Sequence, residues 1–139
     1  MSLFDFISLV RFLKRFDVRR RKPVAQPVPD VNADDVERVV RREFPAGQFA
    51  TVTGLLSKYA TARGRHGPAR VQLAALKLAN GSVEKLRGHL AWPDYRDLLA
   101  SAEYPYYHRM GLKVREMSAD DKGHIFDSDW QQYEAWLRK

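Results

Sequence analysis

The residues with the most evident chemistry lie between Asp94 and Arg109. Three carboxylates, Asp94, Asp97 and Glu103, are followed by Tyr104, Tyr106, Tyr107 and His108. Carboxylates close to a histidine do acid–base work when their surroundings set their pKa values apart. The same residues also have a simpler assignment. Asp94 is placed to cap a helix, with Asp97 three residues later in capping-box register. Tyr104, Tyr106, Tyr107 and Arg109 are residue types enriched where partners dock, because they join large apolar area to polar tips. A competing expectation is that two of these rings pack beneath a C-terminal helix, against Trp130 and Trp136.

The other reactive groups are sparse. His66, His89, His108 and His124 show no H-E-x-x-H pattern or other metal spacing, so neither a metal nor a cofactor is expected. No G-x-S-x-G occurs, and the absence of cysteine removes thiol nucleophiles, thiolate ligands and disulfides. The loop Arg63-Gly64-Arg65-His66-Gly67 precedes a helix start, and free N–H groups there beside Arg63, Arg65 and Arg70 form a candidate anion-binding site. Its glycine spacing matches neither a dinucleotide fingerprint nor a P-loop. The balance weighs against an enzyme.

The charge is uneven. The chain of 139 residues carries a net +7. Residues 1–22 hold seven basic groups and two acids, a local +5, leaving 17 basic and 15 acidic groups for the rest. A basic excess commonly signals nucleic acid, but here it sits in one terminal segment. No stretch approaches the ~20 uninterrupted apolar residues of a membrane span. A cytoplasmic location is expected, with attachment at the inner face of the membrane as an extension of it.

The elements that must position these residues read as all-α. Val71-Gln72-Leu73-Ala74-Ala75-Leu76-Lys77-Leu78-Ala79 is apolar at seven of nine positions. Val71, Ala74, Ala75 and Leu78 share one helical face while Leu73 and Leu76 point elsewhere, so this helix needs cover on more than one side. Pro68 suits its first position, Asn80-Gly81 its end, and Ser82 caps the next helix.

Before it, Asn32 caps a helix with Asp34 and Asp35 in the first turn and Val36, Val39, Val40 and Phe44 on one face. After Pro45-Ala46-Gly47, a second stripe runs Phe49, Val52, Leu55, Leu56, Tyr59. Beyond the central helix come Val83, Leu86 and Leu90, then Tyr95, Leu98, Leu99 and Ala102. Leu112 and Val114 alternate with Lys113 and Arg115, and with Ile125-Phe126 they suggest a small β-hairpin across 112–126, turning at the polar run Ser118 to Gly123. Asp127-Ser128-Asp129 would then cap a terminal helix bearing Trp130, Tyr133, Trp136 and Leu137.

The expected organisation is a helical domain over residues 32–139, a compact bundle of about five helices. An apolar N-terminal helix, 1–16, precedes it across a basic, proline-rich linker, 17–31. In that first helix Leu3, Phe6, Leu9, Val10, Leu13 and Phe16 form a stripe flanked by Phe4, Ile7 and Phe12. Its destinations are the domain core, a second copy, a protein partner or an anionic lipid surface.

The runs Arg70 to Leu78, Asn80-Gly81, Asp94-Tyr95-Arg96-Asp97-Leu98-Leu99-Ala100 and Ala102-Glu103-Tyr104-Pro105 resemble an uncharacterised family of small bacterial helical proteins. The resemblance spans about forty residues and implies a bacterial source, without an activity, ligand or site. The functional expectation therefore rests on the residues: a non-enzymatic adaptor, assembly factor or neutralising partner. It would dock on a protein or on itself through Leu3, Phe6, Leu9, Val10, Leu13, Phe16 and the aromatic loop Tyr104, Tyr106, Tyr107, Arg109. Nucleic-acid binding through the basic segment and the Arg63–Arg70 loop is the rival, and an anionic membrane surface the third reading.

Overall fold

A helix that is apolar all round is stable only inside other helices, and Pro68–Ala79 is placed that way. In the computed structural model, which describes residues 28–57 and 67–139, Val71, Leu73, Ala74, Ala75, Leu76 and Ala79 are all fully buried. The helices of the described residues are α1 (Ala33–Glu43), α2 (Phe49–Ser57), α3 (Pro68–Ala79), α4 (Val83–Leu90), α5 (Tyr95–Glu103), α6 (Pro105–Met110) and α7 (Ala119–Arg138). Short 3-10 turns cover Ala46–Gln48 and Gly111–Glu116, and no strand occurs among these residues. The all-α class is as expected. The segments 1–16 and 17–27, and the loop before Gly67, lie outside the described residues.

α3 packs against α1, α4 and α5. Its alanines present little bulk, so three neighbouring backbones can approach it closely. One core unites Val39, Val40 and Phe44 of α1, Val52 and Leu56 of α2, Leu86 of α4, Leu98 and Leu99 of α5, and Tyr133 and Leu137 of α7. A smaller cluster gathers Tyr106, Tyr107, Met110 and Met117 around Ile125.

Local chemistry ends several elements where the sequence places their ends. The Asn32 carboxamide oxygen accepts from the Asp35 N–H at 3.1 Å while Asp35 accepts from the Asn32 N–H at 3.0 Å, a reciprocal capping box. Asn80 closes α3 in the left-handed conformation, φ 48°. Gly81 follows at φ +81°, where an added Cβ would sit 3.0 Å from the Glu43 carbonyl oxygen. The turn after α3 is therefore seated against the end of α1, and glycine is required for both reasons. The far end of α7 is tied to the same place: the Trp136 Nε1–H donates to Glu43 at 2.9 Å, and the Arg42 guanidinium lies 5.2 Å from the Trp136 ring.

The hairpin expected over 112–126 is not present. Gly111–Glu116 is a 3-10 turn with Val114 buried and Leu112 73% exposed, so their alternation reflects a tight helix and not a strand. The polar run read as a turn is the start of α7. Ser118 accepts from the Asp121 N–H at 3.2 Å, and Asp120 and Asp121 occupy the first turn, where the helix dipole favours negative charge. The proposed cap at Asp127-Ser128-Asp129 is mid-helix.

Gly123 thus lies inside a helix, with nothing within 4 Å of an added Cβ. Gly123→Ala should stabilise the protein by about 0.5–1 kcal/mol, read as a Tm increase of a few degrees. A decrease would mean that residues 118–123 form a turn.

Candidate functional site

The ionisable side chains drawn into the interior converge where α3, α5, α6 and α7 meet. Arg70, on the first turn of α3, donates from Nε to Glu103 Oε2 at 2.8 Å and from Nη2 to Oε1 at 2.6 Å. Both residues are buried, Glu103 to 1% exposure. A planar guanidinium and a carboxylate match as a bidentate pair. Burial works against the charge on Arg70, but the Glu103 carboxylate outweighs it and holds the guanidinium above the usual arginine value.

Two further groups serve the junction between α5 and α6. α5 stops at Glu103 because Tyr104 precedes a proline, which disfavours helical backbone at that residue. The junction leaves a bare carbonyl on one side and bare N–H groups on the other. The Lys77 ammonium, from α3, donates to the Ala102 carbonyl at the end of α5. The Asp129 carboxylate, from α7, accepts from the Tyr106 N–H at 3.3 Å and the Tyr107 N–H at 3.0 Å. Pro105 has no N–H to offer, so Asp129 takes the two that begin α6.

Burial pushes the Asp129 pKa up, against the pull of those N–H groups, Lys77 and Arg109. The folded chain therefore holds this proton more tightly than the unfolded chain. Asp129 costs stability as pH rises from the ordinary carboxylate value of 3.8 through its raised folded value. Lys77 is lowered, first by burial, with Asp129 and Glu103 opposing. Tyr104 is pushed up to about 12 by burial and by the Glu103 carboxylate. The hydroxyl of fully buried Tyr133 has no hydrogen-bond partner among the described residues, and burial raises its pKa too.

The residues singled out from sequence are distributed as follows. Arg70 is committed to Glu103, and Arg63 and Arg65 lie outside the described residues, so the anion-binding trio loses its one described member to a buried ion pair. Of the aromatic loop, Tyr104 is buried and meets the Phe126 ring edge-on at 5.2 Å, while Tyr107 stacks on Phe126 at 4.0 Å. Tyr106 is half-buried and Arg109 exposed. The rings do pack beneath the C-terminal helix, but on Phe126 and Ile125 of its first half. Trp130 and Trp136 flank Tyr133 instead. Leu3, Phe6, Leu9, Val10, Leu13 and Phe16 lie outside the described residues.

Among the described residues, three concavities bear on these assignments. One, of about 390 Å³, has Arg70 and Glu103 in its lining together with Arg96, Tyr107 and His108. A second, of about 450 Å³, brings Asp94, Asp97 and His108 together as the sequence suggested, and adds Ser101, which sequence reading missed. Ser101 sits one turn beyond Asp97 on α5, and that i, i+4 spacing was its only signal. No hydrogen bond joins Asp97, Ser101 and His108, so the contact by which a histidine activates a serine is not made. Asp94 binds the Arg96 N–H at 2.9 Å as a helix cap. No group of three metal-ligating side chains occurs among the described residues.

The third concavity, again about 450 Å³, is an apolar groove lined by Val36, Val40, Phe49, Thr53 and Leu56 with Glu37, Arg41 and Gln72. Among the described residues no helix is long and apolar enough to cross a membrane. Compared with protein-family models, curated proteins and solved structures, the chain matches none.

If the Arg70–Glu103 pair is a matched structural unit, Arg70→Met or Glu103→Leu alone should cost ~3–5 kcal/mol by leaving a bare buried charge. The double variant should recover most of that loss. Urea unfolding of the four proteins measures the coupling, and additive losses would refute it.

Proposed function

We propose that this chain is a non-enzymatic interaction protein, a helical domain that carries the apolar segment 2–16 to a partner protein. The observation that carries this reading is the employment of the interior ionisable groups. Arg70 and Glu103 satisfy each other, Lys77 closes the end of α5, and Asp129 opens α6. Groups spent on helix ends are poor candidates for acid–base or anion chemistry, because using them would release the elements they hold. Apolar surface is left as the means of recognition. Within the aromatic loop, only Tyr106, Tyr107 and Arg109 retain exposed area, so most of the docking falls to the N-terminal stripe.

The test is made on the full chain. Phe6→Asp with Leu13→Asp should weaken binding to the host protein captured by the wild type by more than ~100-fold, since each large apolar side chain contributes ~1.5–3 kcal/mol when buried. The variant should still unfold cooperatively as a helical protein, so that the loss is one of binding and not of folding. Undiminished capture would reject the reading. Binding that falls steeply with added salt would favour nucleic acid instead, and recovery only on anionic vesicles would favour a lipid surface.

A further inference from the structure

The apolar groove lies where the undescribed N-terminal segment joins the domain. It runs between α1 and α2, with Val36, Val40, Phe49 and Leu56 in its wall and Ala33, the first residue of α1, at one end. The chain arrives there in a fixed way: Pro29 is buried and Val31 packs on the core. Residues 17–27, eleven in all, separate this anchored entry from the stripe and reach at most ~40 Å when extended. A helix over residues 2–16 would be ~22 Å long, so the stripe is within reach of the groove from any direction. The charge match is local in sequence: residues 1–22 carry +5, and the exposed carboxylates Asp30 and Asp34 lie within three residues of Ala33, where the chain enters α1.

From the groove's lining, its position and this tether we infer that residues 2–16 dock in the groove of their own domain. Phe6, Val10 and Leu13 are spaced as the anchors of an amphipathic helix laid into an apolar channel. This rests on the reading that the segment is the docking element and adds its regulation: the stripe is stored on the domain and released when a partner competes for it. Apolar side chains otherwise facing water are covered, and the open wall of α1 and α2 is filled by an apolar surface within reach of the tether.

The absence of cysteine makes a clean test. In the full chain, Val10→Cys is paired with Thr53→Cys in the groove, or with Ser101→Cys in the separate hollow on α5. Under mild oxidant the first pair should form an intrachain disulfide at least ~10-fold faster than the second, and the product should run as a monomer. Equal rates overturn the inference, and would be seen if residues 58–66 fill the groove. Disulfide-linked dimers overturn it in favour of a second copy. Partner binding of the Phe6→Asp, Leu13→Asp chain separates the two claims. Lost binding without selective cross-linking leaves the docking function standing and removes the storage. Selective cross-linking with undiminished binding supports docking on the domain and removes the interaction function.

Discussion

A carboxylate and a guanidinium taken out of water together constrain everything around them. Each loses its hydration, and the loss is offset only while both hydrogen bonds of the pair are held at 2.6 and 2.8 Å. That geometry sets where α5 stands on α3, because Arg70 begins one helix and Glu103 ends the other. Sliding α5 by a turn would bury an unpaired charge, whereas the apolar contacts of Leu98 and Leu99 would tolerate a new neighbour. The ion pair therefore penalises any register but the one that brings Glu103 to Arg70.

The consequences spread from the end of α5. Once Glu103 is fixed, Tyr104 must turn the chain and Pro105 must restart it, and the exposed backbone groups on either side need partners. Lys77 and Asp129 supply them from α3 and α7, so the same junction recruits two more helices. Their charges also support one another, since each lies in the other's field. α7 is then held at its middle by Asp129 and at its end by Trp136 on Glu43, with Tyr133 between them in the core. A helix of 20 residues is in this way positioned by polar contacts at two points and by apolar packing in between.

Much of this was legible in the chain before any coordinates. The all-round apolar character of Val71–Ala79 identified the central helix. Asn32, Ser82 and Asp94 marked helix starts because short polar side chains accept from bare N–H groups nearby, and Asn80 marked a helix end because asparagine tolerates the left-handed conformation. Such signals are local. The region after Pro105 was misread because its determinants are distant: Asp129 looked like a local cap, yet it caps a helix more than twenty positions earlier. The run from Ser118 to Gly123 combined turn-forming residues with a helix-capping pattern, and the S-x-x-D spacing decided the outcome over the glycine. Glu103 and Arg70, 33 residues apart, carry no sequence signal of their pairing. At the candidate site, the grouping of Asp94, Asp97 and His108 was legible, and so was the packing of the loop's rings beneath the C-terminal helix, but not their partner, because Phe126 arrives from α7.

The division of labour between polar and apolar groups has a physical origin. In this small domain the interior charges either pair with each other, as Arg70 and Glu103 do, or hold backbone ends, as Lys77 and Asp129 do. An ion that also had to bind a ligand would need access to water and would lose the low-dielectric setting that keeps its partner in place. Apolar surface has no such conflict, because it can be covered and uncovered without leaving a bare charge. α1 shows both uses side by side. Its ends carry the capping box at Asn32 and the Glu43 contact to Trp136, while Val36 and Val40 in its middle reach both the core and the groove wall. A partner approaching α1 there would find a surface already rigid at both ends, so docking on it would order only the incoming segment. The conformational cost of binding then falls on one side of the interface, which suits a groove for an amphipathic helix better than a site that must reorganise around a reacting group.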